Sequence, residues 1–225
     1  MPRTSVFVIA AAAAATCALS ACGPVEMGSA AITGGQRLTS TTLSGQVTDL
    51  ENAVQASNGK IRLQFPQSQT PQQVLGWLLR FRIRDELATR NHVVVTAGES
   101  QRALAALAQQ TGRTGPAFVQ LAVANGIAPD MLPELGRYTA IQRDMFTRLN
   151  GGTLPRTQAR VTVLGVQFNH RECVAAKSLN IQVNPQYGHM DYVPPYSVVP
   201  VPPTLSAPTT PAPSPTLKPQ LAPAC

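Results

Sequence analysis

Charge is scarce in this chain: Asp, Glu, Lys and Arg make up 13% of its 225 residues, and Arg far outnumbers Lys. Strong catalytic signatures are missing as well. There is no Gly-x-Ser-x-Gly elbow, no His-Glu-x-x-His, no phosphate-binding P-loop and no Cys-x-x-Cys pair. These absences argue against the enzyme classes built on those motifs, so the chain is read as a non-enzyme without a cofactor. Its histidines, His92, His170 and His189, are scattered. His170 and Cys173 would share one helix face, but two ligands without a third make a poor metal site, and no metal is expected. Beyond the first twenty residues no second long apolar run occurs.

What is present begins at the N-terminus. Arg3 is followed by a nearly unbroken apolar stretch, Val6 to Ala15, too short to span a bilayer. Leu19-Ser20-Ala21-Cys22 then places small residues directly before a cysteine. This layout resembles a bacterial lipoprotein signal: a charged n-region, an h-region and a lipidation box. The resemblance implies that residues 1–21 are removed, that Cys22 carries the lipid, and that 22–29 is a tether. The mature protein is then expected on the extracytoplasmic face of the cell membrane. A net charge of +7 favours anionic headgroups or wall polymers. Nucleic acid is not expected as a partner of an exported chain.

The other cysteines are Cys17, inside the signal, Cys173 and Cys225. Outside the cytoplasm a disulfide is permitted. A Cys173–Cys225 bridge, an intermolecular bridge and two free thiols all stay open, with Cys173 read as a small buried apolar residue.

The middle of the chain carries helical spacing. Ser29 to Thr33 reads as a strand, with Gly34-Gly35 as a tight turn. A helix is expected from Thr39 to about Ser57, since Leu43, Val47, Leu50 and Val54 make one apolar stripe ending at Asn58-Gly59. Lys60 to Phe65 reads as extended. Pro71 to Arg90 follows as a strong helix, and Thr96-Ala-Gly-Glu99 is a capping box opening another that reaches about Thr111. Helices also start at Pro116 and near Pro129-Asp130, and the latter runs to Asn150. After Pro155, alternation of Val161, Val163 and Gly165 suggests a strand, but the stretch to Ser178 is assigned as helix. Ile181 to Tyr187 reads as extended. From residue 193 onward prolines crowd among Ser, Thr and Ala, a composition that favours polyproline II or disorder.

Asp85 and Glu86 are adjacent on a helix and point apart, so they are not a catalytic pair. Arg82 and Arg90 are their expected surface partners. Arg80, Arg82 and Arg84 read as a solvated face rather than an anion site.

The order of elements resembles the N-terminal module of the SurA and PrsA extracytoplasmic foldases. Ala31-Ile-Thr-Gly-Gly-Gln-Arg-Leu-Thr39 is similar to the family's opening, commonly V-N-G-x-x-I-T. Leu78 to Arg90, with Val93-Val-Val-Thr96 and an acidic capping residue, is similar to the second helix and its V-T-x-x-E continuation. Leu179-Asn-Ile-Gln-Val-Asn-Pro-Gln-Tyr-Gly188 is similar to the returning L-G-V-x-V-N-P-R-Y-G segment, with Gln186 where Arg is common. The resemblance implies a mainly α, multi-helix module over residues 30–192, closed by a small strand pairing between its two ends; composition adds a disordered tail over 193–225. Members with prolyl isomerase activity insert a parvulin domain before the last helix. Here Leu149 to Pro155 joins the helices directly, so the resemblance implies chaperone-like binding of non-native exported polypeptides without isomerase chemistry. Trp77, Leu78, Phe81, Phe118, Met131, Met145 and Phe146 are the candidate peptide-binding residues, because aromatic and Met side chains tolerate varied partners. The alternative is a structural or scaffold lipoprotein contacting the cell wall or a membrane complex.

Overall fold

The computed structural model describes residues 28–201. Cys22, residues 1–21 and residues 202–225 lie outside the described residues, so the lipidation site and most of the expected tail do too.

Local rules build the first half. Strand β1 (Ser29–Thr33) turns at Gly34-Gly35 into β2 (Gln36–Thr39), with Ile32 opposite Arg37. Thr39 then caps helix α1 (Ser40–Ala56), its hydroxyl accepting from the Thr42 backbone N–H at 3.0 Å. Along α1, Leu43 and Leu50 are buried, and Val47 and Val54 are half-buried against them. Asn58 and Gly59 take φ of 50° and 80° and end the helix. Lys60 to Phe65 makes no strand; Gln64 instead donates its backbone N–H to the Ala124 carbonyl at 2.8 Å.

Helix α2 (Thr70–Arg90) is the axis of the molecule. Val74, Leu75, Leu79, Ile83 and Leu87 are wholly buried, on more than one face, because α1, α5, α6 and strand β5 all pack around it. Helix α3 (Ala97–Gln110) opens with the expected capping box, Thr96 and Glu99 each holding the other's backbone N–H. Helices α4 (Pro116–Ala124) and α5 (Leu132–Leu149) follow, each with a proline in its first turn. Helix α6 (Gln158–Ser178) is continuous through Val161–Gly165, so the helical reading of that segment holds and the alternating pattern does not make a strand.

The two ends of the domain meet. β1 pairs antiparallel with β3 (Gln182–Val183), Ala31 opposite Val183 and Ile32 opposite Gln182, giving a sheet ordered β2-β1-β3. Asn184 reinforces the join, its side chain donating to the Ser29 carbonyl and its backbone N–H to that of Ala30, both at 2.9 Å. Ala30, Ala31 and Ile181 are buried, while Ile32 is only half-buried and sits opposite the exposed Gln182.

The expected tail boundary at 193 falls too early. β4 (His189–Asp191) and β5 (Ser197–Val199) form an antiparallel hairpin, and Tyr196 and Val198 are buried. Proline-rich composition does not prevent a short strand where a receptive surface exists. Helix α2 supplies one: β5 packs along it, and the Arg80 side chain donates to the Tyr196 carbonyl at 2.7 Å. Gly188 has φ 125°, and any side chain on it would run into the Val199 carbonyl.

Two apolar clusters result. The larger joins α1, α2, α4 and the strands; the smaller gathers Leu87, Val93, Ile141, Met145 and Phe168. Between them lies a pair the sequence reading misplaced. Arg84, expected on a solvated face, is 2% exposed and bonded to Glu172 at 2.7 Å, with its guanidinium over the rings of Tyr138 and Phe168. Arg is suited to this, since its planar head stacks while its edge meets the carboxylate. Asp85 pairs with Arg137 of α5 rather than with Arg82, while Glu86 pairs with Arg90 as the spacing implies. Cys173 is buried and disulfide-bonded, which removes the free-thiol reading at that position.

Candidate functional site

A wide concavity opens between α3 and α5, a cleft of about 740 Å³. Helical spacing makes its walls. From α5 come Leu135, Tyr138, Gln142 and Phe146, one stripe at steps of three or four. From α3 come Ala103, Leu107 and Gln110, spaced in the same way. Trp77 of α2 closes one end, and Leu154, Pro155 and Val161, on the way into α6, close the other. The surface is mainly apolar with amide and hydroxyl groups among it. The volume lies in the range of ordinary ligand sites.

Its aromatic end is held rigidly. The rings of Trp77, Phe81 and Tyr138 pack as a triangle with centroids 5.8 to 6.2 Å apart. The indole N–H of Trp77 donates to the Asn125 carbonyl at 2.9 Å, and the Arg80 guanidinium lies 4.6 Å from the indole centre. Behind Tyr138 stands the Arg84–Glu172 pair. Burial raises the Glu172 carboxyl above its ordinary range, against the pull of Arg84; burial likewise raises the Tyr138 phenol and lowers the Arg80 guanidinium. At Glu172 the 2.7 Å contact with Arg84 and the upward shift pull in opposite directions, and desolvation is the larger effect. These groups make a stiff, dry backing for one wall. None of them is an exposed acid or base facing the cleft.

Gly136 lies where α3 and α5 meet. A Cβ there would lie 2.6 Å from the Ser100 carbonyl oxygen and 3.3 Å from Leu104 Cβ, so α3 and α5 touch backbone to backbone at that point. A second hollow of about 380 Å³ shares Ala103, Arg143 and Leu154 with the cleft and adds Glu99, Arg102 and Asp144. The apolar trough therefore runs on into a charged exit.

The sequence-level candidates divide. Trp77 and Phe146 line the cleft. Phe81, Phe118, Met131 and Met145 are 1 to 7% exposed and belong to the core, and Leu78 packs half-buried against it. Phe81, Phe118, Met131 and Met145 present almost no surface, because the two apolar clusters enclose them, while Leu78 keeps part of its side chain open. Leu107, Tyr138, Leu154 and Val161 were missed. Tyr138 shares the helical spacing of Leu135 and Phe146, a signal the sequence offered. Leu154 lies in an irregular loop with no periodicity to mark it.

Among the described residues, no three His, Cys, Asp or Glu side chains gather as a metal site, and no helix is long and apolar enough to cross a membrane. His170 is exposed on α6. Set beside known proteins, the chain matches no family model, no curated protein and no solved structure.

Proposed function

We propose that the protein binds non-native exported polypeptides in the cleft between α3 and α5, tethered to the extracytoplasmic face of the membrane through lipid on Cys22, in a helical module of the SurA kind without isomerase chemistry. One observation carries this reading: a rigid aromatic end, an apolar trough and a charged exit are continuous across the Trp77–Leu154 cleft. Such a trough accepts aliphatic and aromatic side chains of an extended chain, while Gln110, Thr139 and Gln142 along it offer hydrogen-bonding groups to a backbone. No site-specific chemistry is needed, which agrees with the absence of catalytic motifs.

Trp77 is the only tryptophan, so its emission reports directly on the cleft. Titrating the full chain with a reduced, unfolded secretory polypeptide should shift that emission and suppress aggregation of the polypeptide. Leu154→Ser should weaken both effects at least fivefold. Unchanged emission and aggregation would remove the reading and leave the scaffold alternative. Palmitate labelling lost in Cys22→Ala tests the anchor separately.

A further inference from the structure

A hollow of about 260 Å³ lies between the segment that follows α1 and helix α4. Lys60, Arg62 and Arg113 line it, with the amides of Gln64 and Gln120 beside them, and its lining contains no Asp or Glu. We propose that this hollow binds a dianionic phosphate, free or as a monoester. The proposal rests on no part of the polypeptide-binding reading, because the hollow and the cleft between α3 and α5 share no residue.

Local packing brings the cations together. Burial alternates after α1: Ile61 is buried and Leu63 and Phe65 are half-buried against the larger cluster, while Lys60, Arg62 and Gln64 are exposed. The segment is pinned to α4 by the Gln64 backbone N–H, which donates to the Ala124 carbonyl at 2.8 Å. Arg113 arrives from the end of α3. Gly112 turns the chain there with φ of 66°, and the Arg113 backbone N–H returns to the Ala108 carbonyl at 3.1 Å. Gln120, Leu121 and Ala124 of α4, neighbours on one helix face, complete the far wall.

Charge selects the ligand. Among the described residues, no ion pair or side-chain hydrogen bond engages Lys60, Arg62 or Arg113, whereas Arg84, Arg90 and Arg137 each hold a carboxylate. The sequence places no acid between 52 and 84 or between 100 and 129, the stretches that carry the three cations. Their mutual repulsion is therefore uncompensated within the chain, and an anion seated among them relieves it. A phosphate monoester spreads about two negative charges over three oxygens, and a guanidinium meets such oxygens with two parallel N–H bonds. A carboxylate or a phosphodiester brings one charge to three cations and matches the hollow less well.

The test titrates the full chain with inorganic phosphate, glycerol 3-phosphate, glycerophosphoglycerol and acetate, each at one ionic strength held with chloride. Calorimetry should find saturable binding of phosphate or its monoester at roughly millimolar concentration. Backbone amide shifts should move at Gln64 and Gln120 and stay still at Leu107 and Phe146. Affinity for inorganic phosphate should fall between about pH 8 and about pH 6, as the dianion takes up a proton. Arg62→Gln with Arg113→Gln should weaken binding about tenfold or more, and Lys60→Gln alone about threefold. Both variants should keep or raise Tm in phosphate-free buffer, since each removes repulsion. Tighter binding of glycerol 3-phosphate than of inorganic phosphate assigns a monoester, and the reverse assigns the free ion. Absence of saturable binding, affinity unchanged in both variants, or acetate or the diester binding as tightly as phosphate overturns the inference and leaves the cleft's function untouched.

Discussion

The end of the molecule where the strands meet and the arm made by α3 and α5 solve the same problem differently. At the strand end, backbone ladders, Asn184 and the β4–β5 hairpin close over Ala30, Ala31, Ile181 and Tyr196, while Val193 and Val201 stay exposed. In the arm, α3 packs almost wholly against α5, with Gly136 against the Ser100 carbonyl, and an apolar-walled cleft runs along that packing. Backbone pairing covers the strand end, whereas side-chain packing in the arm leaves a trough. Leu154, which lines the cleft, is exposed, and further exposed apolar side chains, Val163, Val166 and Val174, lie on α6.

The largest effect is expected at the junction of the two regions. Arg84→Met leaves Glu172 buried without its partner and should cost about 3–5 kcal/mol in urea unfolding, while Arg84→Met with Glu172→Leu should recover much of that. The pH dependence follows from Glu172. Its carboxyl is raised in the folded state, so the native protein holds that proton more tightly than the unfolded chain. The stability it contributes is fully present below the ordinary carboxylate pKa of 4.5 and is lost as pH rises through the raised value. Glu172→Gln should flatten that part of a plot of urea midpoint against pH. Glu99 has the opposite sign: the Thr96 backbone N–H holds its carboxyl low, so its contribution is present above 4.5 and fades as pH falls through the lowered value.

Next in size is the arm's own contact. Gly136→Ala drives a methyl against the Ser100 carbonyl and should cost about 1–2 kcal/mol net, the overpacking penalty less the gain in helix propensity. Amide exchange should quicken in α3 while β1 keeps its protection; equal quickening of both would show that the two regions do not open separately. Thr96→Ala removes one half of the capping box and should cost about 1 kcal/mol, again with faster exchange confined to the start of α3. Smallest is Leu154→Ser. Leu154 is 43% exposed, so stability should hold within about 0.5 kcal/mol while binding falls, separating the cleft's function from its folding.

Much of this was readable locally. Thr39, the Thr96–Glu99 box, Pro116 and Asn58-Gly59 act through bonds within a few residues, and each sits at the helix end its chemistry demands. The α1 stripe worked because that helix has one buried side. The same reasoning failed for α2, where neighbours on several faces make periodicity uninformative, and so Arg84 looked like a surface residue. It failed again at Met131 and Met145, which side chains from other elements enclose. Composition misled at Tyr196 and Val198, because a proline count does not know that α2 offers a surface to pack on.

By itself the sequence determined the helices, their caps and turns, since these follow from short-range hydrogen bonding and from apolar spacing along one chain; the pairing of Ile181–Val183 with β1 was expected only from the family resemblance. Only the tertiary structure decided which apolar faces meet. It put Gly136 against Ser100, placed Arg84 and Glu172 between two clusters, and left Trp77, Tyr138, Phe146 and Leu154 around an unfilled trough. Those outcomes depend on how side-chain volumes from distant segments fit at one place, and that sum is not written in any single stretch of residues.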